Sequence, residues 1–502
     1  MGNYIDTPTT ISMQEVIEKG FALSSSLHNR FIVKNKRLQP VSFFLSRPLK
    51  NSDLGVEVGS LSYVDHSPKH FIKTKALQED SFIPTFDSGA IEDIRPQDFI
   101  DMQLKEGDII ISKDSNIGEI CILDTDYPCY MLSGAIYRLP IKEEYKYYLL
   151  AFVKSALFRE QLDAKVPKGA TIRHAKTLFL DCLIPLPDKA DTETIRYVSM
   201  LTKAIVAKEK AIRSKFAEIM EIIDTELNTN QGSKSFIYSL PRLSSLLKTG
   251  RIDAGIYDED YNRMKFVINN YAGGCLSFLK LNNGVVSITR GQNLQESCIG
   301  KSVYSDSPHK GFYSLYLSRQ FTSYQTVSSV SYLGNSNELK TLREGEIVFS
   351  CRGEMGRSFV VCEPLPNAIT NIDNAQISFD GMGLNKTIFV SCFLSYLRQK
   401  GYISKIAITG SGADSFTKYQ FDLIDIPSFP DDVINKIAAL YYNGPYSYLD
   451  ENCDLDAFEE KDEAFNIGAG IFELDCSLKH LKSRLTNVLE RIADDKKIDC
   501  KF

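Results

Sequence analysis

Apolar positions along the chain cluster in short runs set off by charged, glycine-bearing turns, and one such run occurs twice. Leu104-Lys105-Glu106-Gly107-Asp108 leads into Ile109-Ile110-Ile111-Ser112, and a polar loop then reaches Ile117-Gly118. Leu342-Arg343-Glu344-Gly345-Glu346 leads into Ile347-Val348-Phe349-Ser350, and a polar loop then reaches Met355-Gly356. Gly107 and Gly345, Ser112 and Ser350, and Gly118 and Gly356 are all separated by 238 residues. A glycine turn entering an apolar strand is common by itself. A fixed separation over several landmarks is the mark of a duplicated unit.

The flanks repeat in the same order. Gly20-Phe21-Ala22-Leu23 leads to Asn29-Arg30, and Gly250-Arg251-Ile252-Asp253 leads to Asn262-Arg263. Each apolar run is followed by a helix-like segment, Tyr145 to Leu162 and Lys386 to Lys400. Next comes a polar glycine loop, Lys168-Gly169-Ala170-Thr171 and Thr409-Gly410-Ser411-Gly412-Ala413. Each loop gives way to a short strand ending at proline, Leu183-Ile184-Pro185 and Ile424-Asp425-Ile426-Pro427. We read two copies of one sheet-rich α+β domain. The first opens with a short helix, Ser12 to Lys19, and holds short strands such as Val56 to Val64 and Gly107 to Ser112.

Two segments follow a period of seven instead. From Asp191 to Leu227 the chain has no Gly or Pro; Val198, Ile205, Ile212 and Ile219 take one heptad position. Ile195, Phe216 and Ile223 take the companion position, where Thr202 and Glu209 interrupt it. Ile471, Leu478, Leu485 and Ile492 repeat one position of a second seam, and Leu474, Leu481 and Val488 the other. Such spacing predicts long helices with coiled-coil-like seams; the plainer reading is an amphipathic helix lying on its own domain. The first helix would span about 55 Å. One such helix follows each repeat, so we expect the two to pair as an antiparallel coiled coil. The expected layout is a first domain over 1–190, a spacer helix over 191–230, a second domain over 231–430, and a C-terminal helical region over 431–502. That last region opens with a short helix, Asp431 to Tyr442, and carries an acidic, loop-like insertion over 443–470.

Composition changes this picture little. A chain of 502 residues exceeds one core. No apolar run is long enough to cross a bilayer and the N-terminus lacks a signal-peptide pattern, so a cytoplasmic protein is expected. Eleven cysteines without a CxxC pair suggest reduced, packed thiols, not a disulfide framework or a zinc site. A net charge of −6 does not advertise a nucleic-acid binder, yet it is compatible with a local basic face. There is no GxxxxGK[ST] loop, no HExxH helix and no Asn/Asp-Pro-Pro-aromatic motif. Gly410-Ser411-Gly412 and Gly468-Ala469-Gly470 lack the GxGxxG layout after a strand. We therefore expect no catalytic residues, no metal and no cofactor.

Two similar heads on a stiff spacer suit a linear partner read at two places; on DNA, half-site spacing follows from the geometry of the heads. The order domain, long helix, domain, long helix resembles the specificity subunit of type I restriction–modification enzymes. The residues that carry the resemblance are Lys105 to Ser112 with Gly118, Arg343 to Ser350 with Gly356, the two glycine loops leading to Ile184-Pro185 and Ile426-Pro427, and Arg251-Ile252-Asp253-Ala254. The resemblance implies that each head is a target-recognition domain reading part of an asymmetric bipartite sequence in double-stranded DNA. It also implies that the helices dock two adenine-type DNA methyltransferase subunits, with a translocase–nuclease as a further partner. Generous length and the acidic insertion depart from the pattern and leave room for a related phage-defence complex. The alternative is a coiled-coil protein-interaction scaffold of a defence complex without base readout.

Base edges are read by Arg, Lys, Asn and Gln, and phosphates by Lys, Arg, Ser, Thr and backbone N–H groups. Candidates in the first head are Lys113, Ser115 and Asn116 after the strand, and Lys168, Thr171, Arg173, His174 and Lys176 in the glycine loop. Lys69, His70, Lys73 and Lys75 form a second basic patch. Candidates in the second head are Arg290, Gln292 and Asn293 in a turn, Arg352 after the strand, and Thr409, Ser411, Ser415 and Lys418 in the glycine loop. The plainer readings make Lys113 and Arg352 exposed loop charges, His174 a structural hydrogen-bonder and Asn293 a turn cap.

Overall fold

A computed structural model describes residues 4–21, 23, 28–87, 89–166, 174–188, 191–409, 414–445, 453 and 455–501. The chain divides into two compact units. Unit one comprises 1–211, 448–467 and 476–502; unit two comprises 212–447 and 468–475.

In unit one the duplicated strand Ile109–Ser112 lies between Ile120–Ile122 and Ile136–Leu139, antiparallel to both. A second three-stranded sheet pairs His70–Ile72 antiparallel with Ile91–Asp93 and parallel with Tyr130–Leu132. Unit two repeats this plan. Ile347–Ser350 lies between Ser358–Val360 and Asn374–Phe379, and Tyr313–Tyr316 pairs antiparallel with Ser331–Gly334 and parallel with Ala368–Thr370. The separation of 238 therefore holds through four consecutive strand starts: 109 and 347, 120 and 358, 130 and 368, and 136 and 374. Unit two adds an outer strand to each sheet, Val286–Arg290 and Val303–Ser305. The strands ending at proline also match: Leu183–Pro185 pairs with Leu38–Pro40, and Asp425–Pro427 with Cys275–Ser277.

The cores are built from equivalent positions. Leu104, Ile110, Cys121 and Leu123 pack together in unit one; Leu342, Val348, Phe359 and Val361 do so in unit two. Alternation along the strands sends these side chains to one face. The turns are held alike. The backbone N–H of Lys105 donates to Asp108 Oδ2 at 2.9 Å and that of Arg343 to Glu346 Oε2 at 3.0 Å. Gly107 and Gly345 sit at φ +85° and +80°, where a side chain would be strained.

Several sequence-based expectations need correction. Val56 to Val64 is not a strand: only single bridges at Val56 and Tyr63 flank a helical turn over Ser60–Ser62, because no ladder runs continuously through Gly59 and the serines. The segment Tyr145 to Leu162 breaks at Lys154-Ser155 into helices Lys146–Val153 and Ala156–Lys165. The acidic insertion is not all loop-like; Leu455–Gly468 is a helix. Its buried stripe is Leu455, Phe458 and Asp462, so a charged residue occupies an inward position. Asp462 accepts from the amine of Lys208, which Asn466 Oδ1 also meets at 2.8 Å. Burial pushes the Lys208 amine down, and Asp462 opposes that shift.

The central helix runs Thr192–Thr229 and the C-terminal helix Ile471–Ala493. All the heptad positions named above are buried except Ile195, which is half-buried. Both interruptions have structural work. Thr202 donates to Val198 O at 2.8 Å, and buried Glu209 accepts from the N–H groups of Phe82 (2.7 Å) and Ile83 (3.2 Å). Lys482 stands 2.7 Å from the same carboxylate. Within unit one the central helix meets the C-terminal segment at three points, Thr194 with Cys500, Tyr197 with Arg484 and Glu209 with Lys482. Among the described residues no helix is long and apolar enough to cross a membrane.

Candidate nucleic-acid interface

The polar loop after each duplicated strand folds the same way. Ser112 Oγ donates to the carbonyl of Asp114 at 2.7 Å, and Ser350 Oγ to that of Arg352 at 2.9 Å. The next residue is left-handed in both, Ser115 at φ +61° and Gly353 at φ +69°. Gly118 and Gly356 N–H then return to the carbonyls of Ser112 and Ser350 at 2.8 and 2.9 Å. Each loop is stitched to the far end of the glycine loop by a backbone bond, Ala175 N–H to Lys113 O at 2.8 Å and Phe416 N–H to Cys351 O at 3.0 Å. In each unit the structure thus brings the strand-following candidates beside the end of the glycine-loop candidates.

Side chains diverge on this common frame. In unit one Asp114 lies between two cation-capable groups: Lys113 Nζ is 3.0 Å from Oδ2 and His174 Nδ1 is 2.7 Å from Oδ1. Asp114 is 14% exposed and His174 is 57% exposed. Ser115 is exposed, and Asn116 turns inward, donating to Thr74 O and Leu77 O at 3.3 and 3.2 Å. Lys176 is exposed at φ +47°. Lys168, Thr171 and Arg173 lie outside the described residues, as do Ser411 and the side chain of Thr409.

In unit two Arg352 is 56% exposed and 3.7 Å from Asp373, which also accepts from Asn371 Nδ2 at 2.7 Å. Arg290 is not in a turn but ends the strand Val286–Arg290, and its guanidinium donates to the carbonyl of Phe416. It is a brace between strand and glycine loop. Asn293 Oδ1 accepts from Gln295 N–H at 3.1 Å, the turn-capping role, and Gln292 Oε1 accepts from Lys340 N–H at 3.1 Å. Ser415 is half-buried on the short strand Asp414–Ser415, and Lys418 is exposed at the start of the helix Lys418–Asp422.

The second basic patch is largely neutralised. Lys73 is 3.0 Å from Glu92, His70 is 2.7 Å from Asp93, and Lys69 lies 4.1 Å from the Phe99 ring centroid. Lys75 remains exposed.

Sequence reasoning missed three groups. Asp114 and Asp373 are acids among the candidate cations, and Lys340 reaches Thr289 Oγ1 and Arg290 O at 2.5 and 2.9 Å, its amine pushed down by burial. The signal for Asp114 was present, since the 238 separation aligns it with Arg352. The chemistry of the two surfaces is hydrogen bonding and charge. Among the described residues no group of three or more His, Cys, Asp or Glu could hold a metal ion. Burial pushes the Cys121 and Cys351 thiols up to about 11, so both are protonated at neutral pH.

No family model matches the chain, and no curated protein does. Among solved structures, it is similar to the S subunit of a type I restriction-modification system from M. genitalium, at 12% identity and TM-score 0.37, over 92% of this chain and 96% of that chain. It is similar to a chain from a structure of complex assembly and conformational transition of the type I R-M system, at 14% identity and TM-score 0.27, over 92% of this chain and 99% of that one. A third similarity is to the HsdS subunit from Thermoanaerobacter tengcongensis, at 14% identity and TM-score 0.26, over 91% of this chain and 97% of that chain.

Proposed function

We propose that the chain is a non-catalytic DNA-specificity subunit of the type I restriction–modification kind. Residues 1–190 and 231–430 serve as two target-recognition heads, 191–230 as the spacer between them, and 431–502 as the closing helical region. The heads read an asymmetric bipartite target in duplex DNA. The heptad helices pair as a coiled coil and recruit two adenine-type methyltransferase subunits in the cytoplasm, with a translocase–nuclease as a further partner.

One observation carries this reading. The two strand-following loops share their backbone bonds but not their side chains: Asp114 in one stands where Arg352 stands in the other. A common scaffold that presents different polar groups at matching points suits two readers of two different half-sites, since sequence is read by the polar groups that meet base edges. Methylation profiling of the host tests it. Deleting the gene should erase one asymmetric split motif from the methylome; an unchanged methylome refutes the proposal.

A second reading, a protein-binding scaffold, is favoured by the carboxylates that stand against Lys73, His70 and Lys113. Salt decides between the two. A DNA reader that neutralises several phosphates loses affinity steeply with rising salt, and a scaffold has no such slope.

A further inference from the structure

We infer that the residue two places beyond each duplicated strand sets how strongly its head contacts DNA phosphate, with Asp114 restraining head one and Arg352 adding to head two. This rests on the DNA-reading function proposed above.

The two positions are equivalent by geometry as well as by spacing. Each carbonyl accepts from the hydroxyl of the serine two residues before it, and each residue precedes a left-handed one. Their backbones are therefore held in one conformation, and they differ in charge. In head one the Asp114 carboxylate faces Lys113 on its own loop and His174 on the adjoining segment, which its backbone also bridges. Among the described residues there, Lys113 and His174 are cation-capable groups able to meet a phosphate, and Asp114 engages both. In head two Arg352 is more than half exposed, and Asp373, at 3.7 Å, is too far for a close hydrogen-bonded pair. At such exposure an ion pair of this kind is worth little, so the guanidinium is available to an incoming phosphate. A carboxylate at the DNA face repels phosphate and competes for the cations beside it, while an arginine releases about one further counterion on binding.

The test uses the full chain with Asp114→Asn and Arg352→Gln, each first shown by thermal melting to be folded. Binding to a duplex is measured across a salt series. Asp114→Asn keeps the hydrogen-bonding shape toward His174, and it should tighten non-specific duplex binding several-fold and steepen the log–log salt slope by up to about one unit. Adding Lys113→Gln should reverse that gain. Arg352→Gln should weaken binding to all duplexes and flatten the slope by about one. If Asp114 merely fastened the loops together, Asp114→Asn would weaken binding or leave it unchanged, and the inference fails. It fails equally if neither variant moves the slope while the wild-type chain binds DNA with a steep one, and in that case the DNA-reading function stands. A wild-type chain without salt-dependent duplex binding defeats both.

Discussion

At the scale of single residues, two glycines report the duplication more sharply than the motif that first suggested it. A Cβ added to Gly55 would lie 2.1 Å from Ser133 O and 2.4 Å from Leu132 O; one added to Gly291 would lie 2.4 Å from Asn371 O and 2.5 Å from Thr370 O. In both, the chain passes so close to the neighbouring strand that only hydrogen fits. Backbone cannot yield as a flexible side chain can, so Gly55→Ala and Gly291→Ala should each destabilise their own unit by about 3 kcal/mol. Chemical denaturation of each variant checks this, and a loss below roughly 1 kcal/mol would contradict the close approach. Asp53 supplies a second residue-scale prediction. Its buried carboxylate receives both Arg47 guanidinium bonds at 2.7 Å and the Lys50 N–H at 2.7 Å. Arg47 holds its carboxyl below the usual carboxylate range. A depressed carboxylate contributes stability that is present above the unfolded value, near pH 4, and lost as pH falls through the lower folded value. Asp53→Asn should therefore be less stable than the parent at neutral pH, with the gap closing on acidification below about pH 4, as a pH series of melting curves would show.

At the scale of elements, the central helix is tied to head one by polar groups that interrupt its seam. Glu209 binds the backbone of Phe82 and Ile83, and Lys208 pairs with Asp462 of the helix Leu455–Gly468. Removing one partner of a buried pair leaves the other charge without compensation, whereas replacing both with apolar groups is often neutral. Lys208→Met alone should lower the stability of unit one by about 3 kcal/mol, and Lys208→Met with Asp462→Leu should recover most of it. A double-mutant cycle by urea denaturation measures this. Equal losses in the single and double variants would show that the pair does not hold the helix. The heptad pattern in the sequence identified both long helices within a few residues of their ends, Thr192–Thr229 and Ile471–Ala493, because apolar spacing sustained over 38 and 23 residues leaves little ambiguity. The helix in the acidic insertion escaped notice, because its inward stripe ends in Asp462 and only the fold supplies the lysine that makes burial of an acid tolerable.

At the scale of the whole molecule, two compact units with matching frames predict separable specificity. Positions with no shared partners combine additively. Exchanging Gln292 and Ser415 of unit two for other polar residues should alter one half of a split target and leave the other half untouched. Methylome sequencing of a host carrying such a variant reads this out; simultaneous change of both halves would show that the units do not read separately. Eleven cysteines without a disulfide framework raise no obstacle to such experiments under reducing conditions, since the described cysteines are free thiols.

The spacing of Gly107, Ser112 and Gly118 from their counterparts was enough to establish a duplicated sheet-rich α+β domain, and the heptads were enough to place its two long helices. These are local, periodic signals, and local propensity and spacing are what a single sequence records. What only the tertiary structure decided is which polar groups face one another. Asp114 between Lys113 and His174, Arg290 turned to the carbonyl of Phe416, and Asn116 turned to Thr74 and Leu77 each depend on chain segments tens to more than a hundred residues away. A charge is written in the sequence, but its partner is brought to it by the fold, and the partner determines whether that charge is left for a ligand.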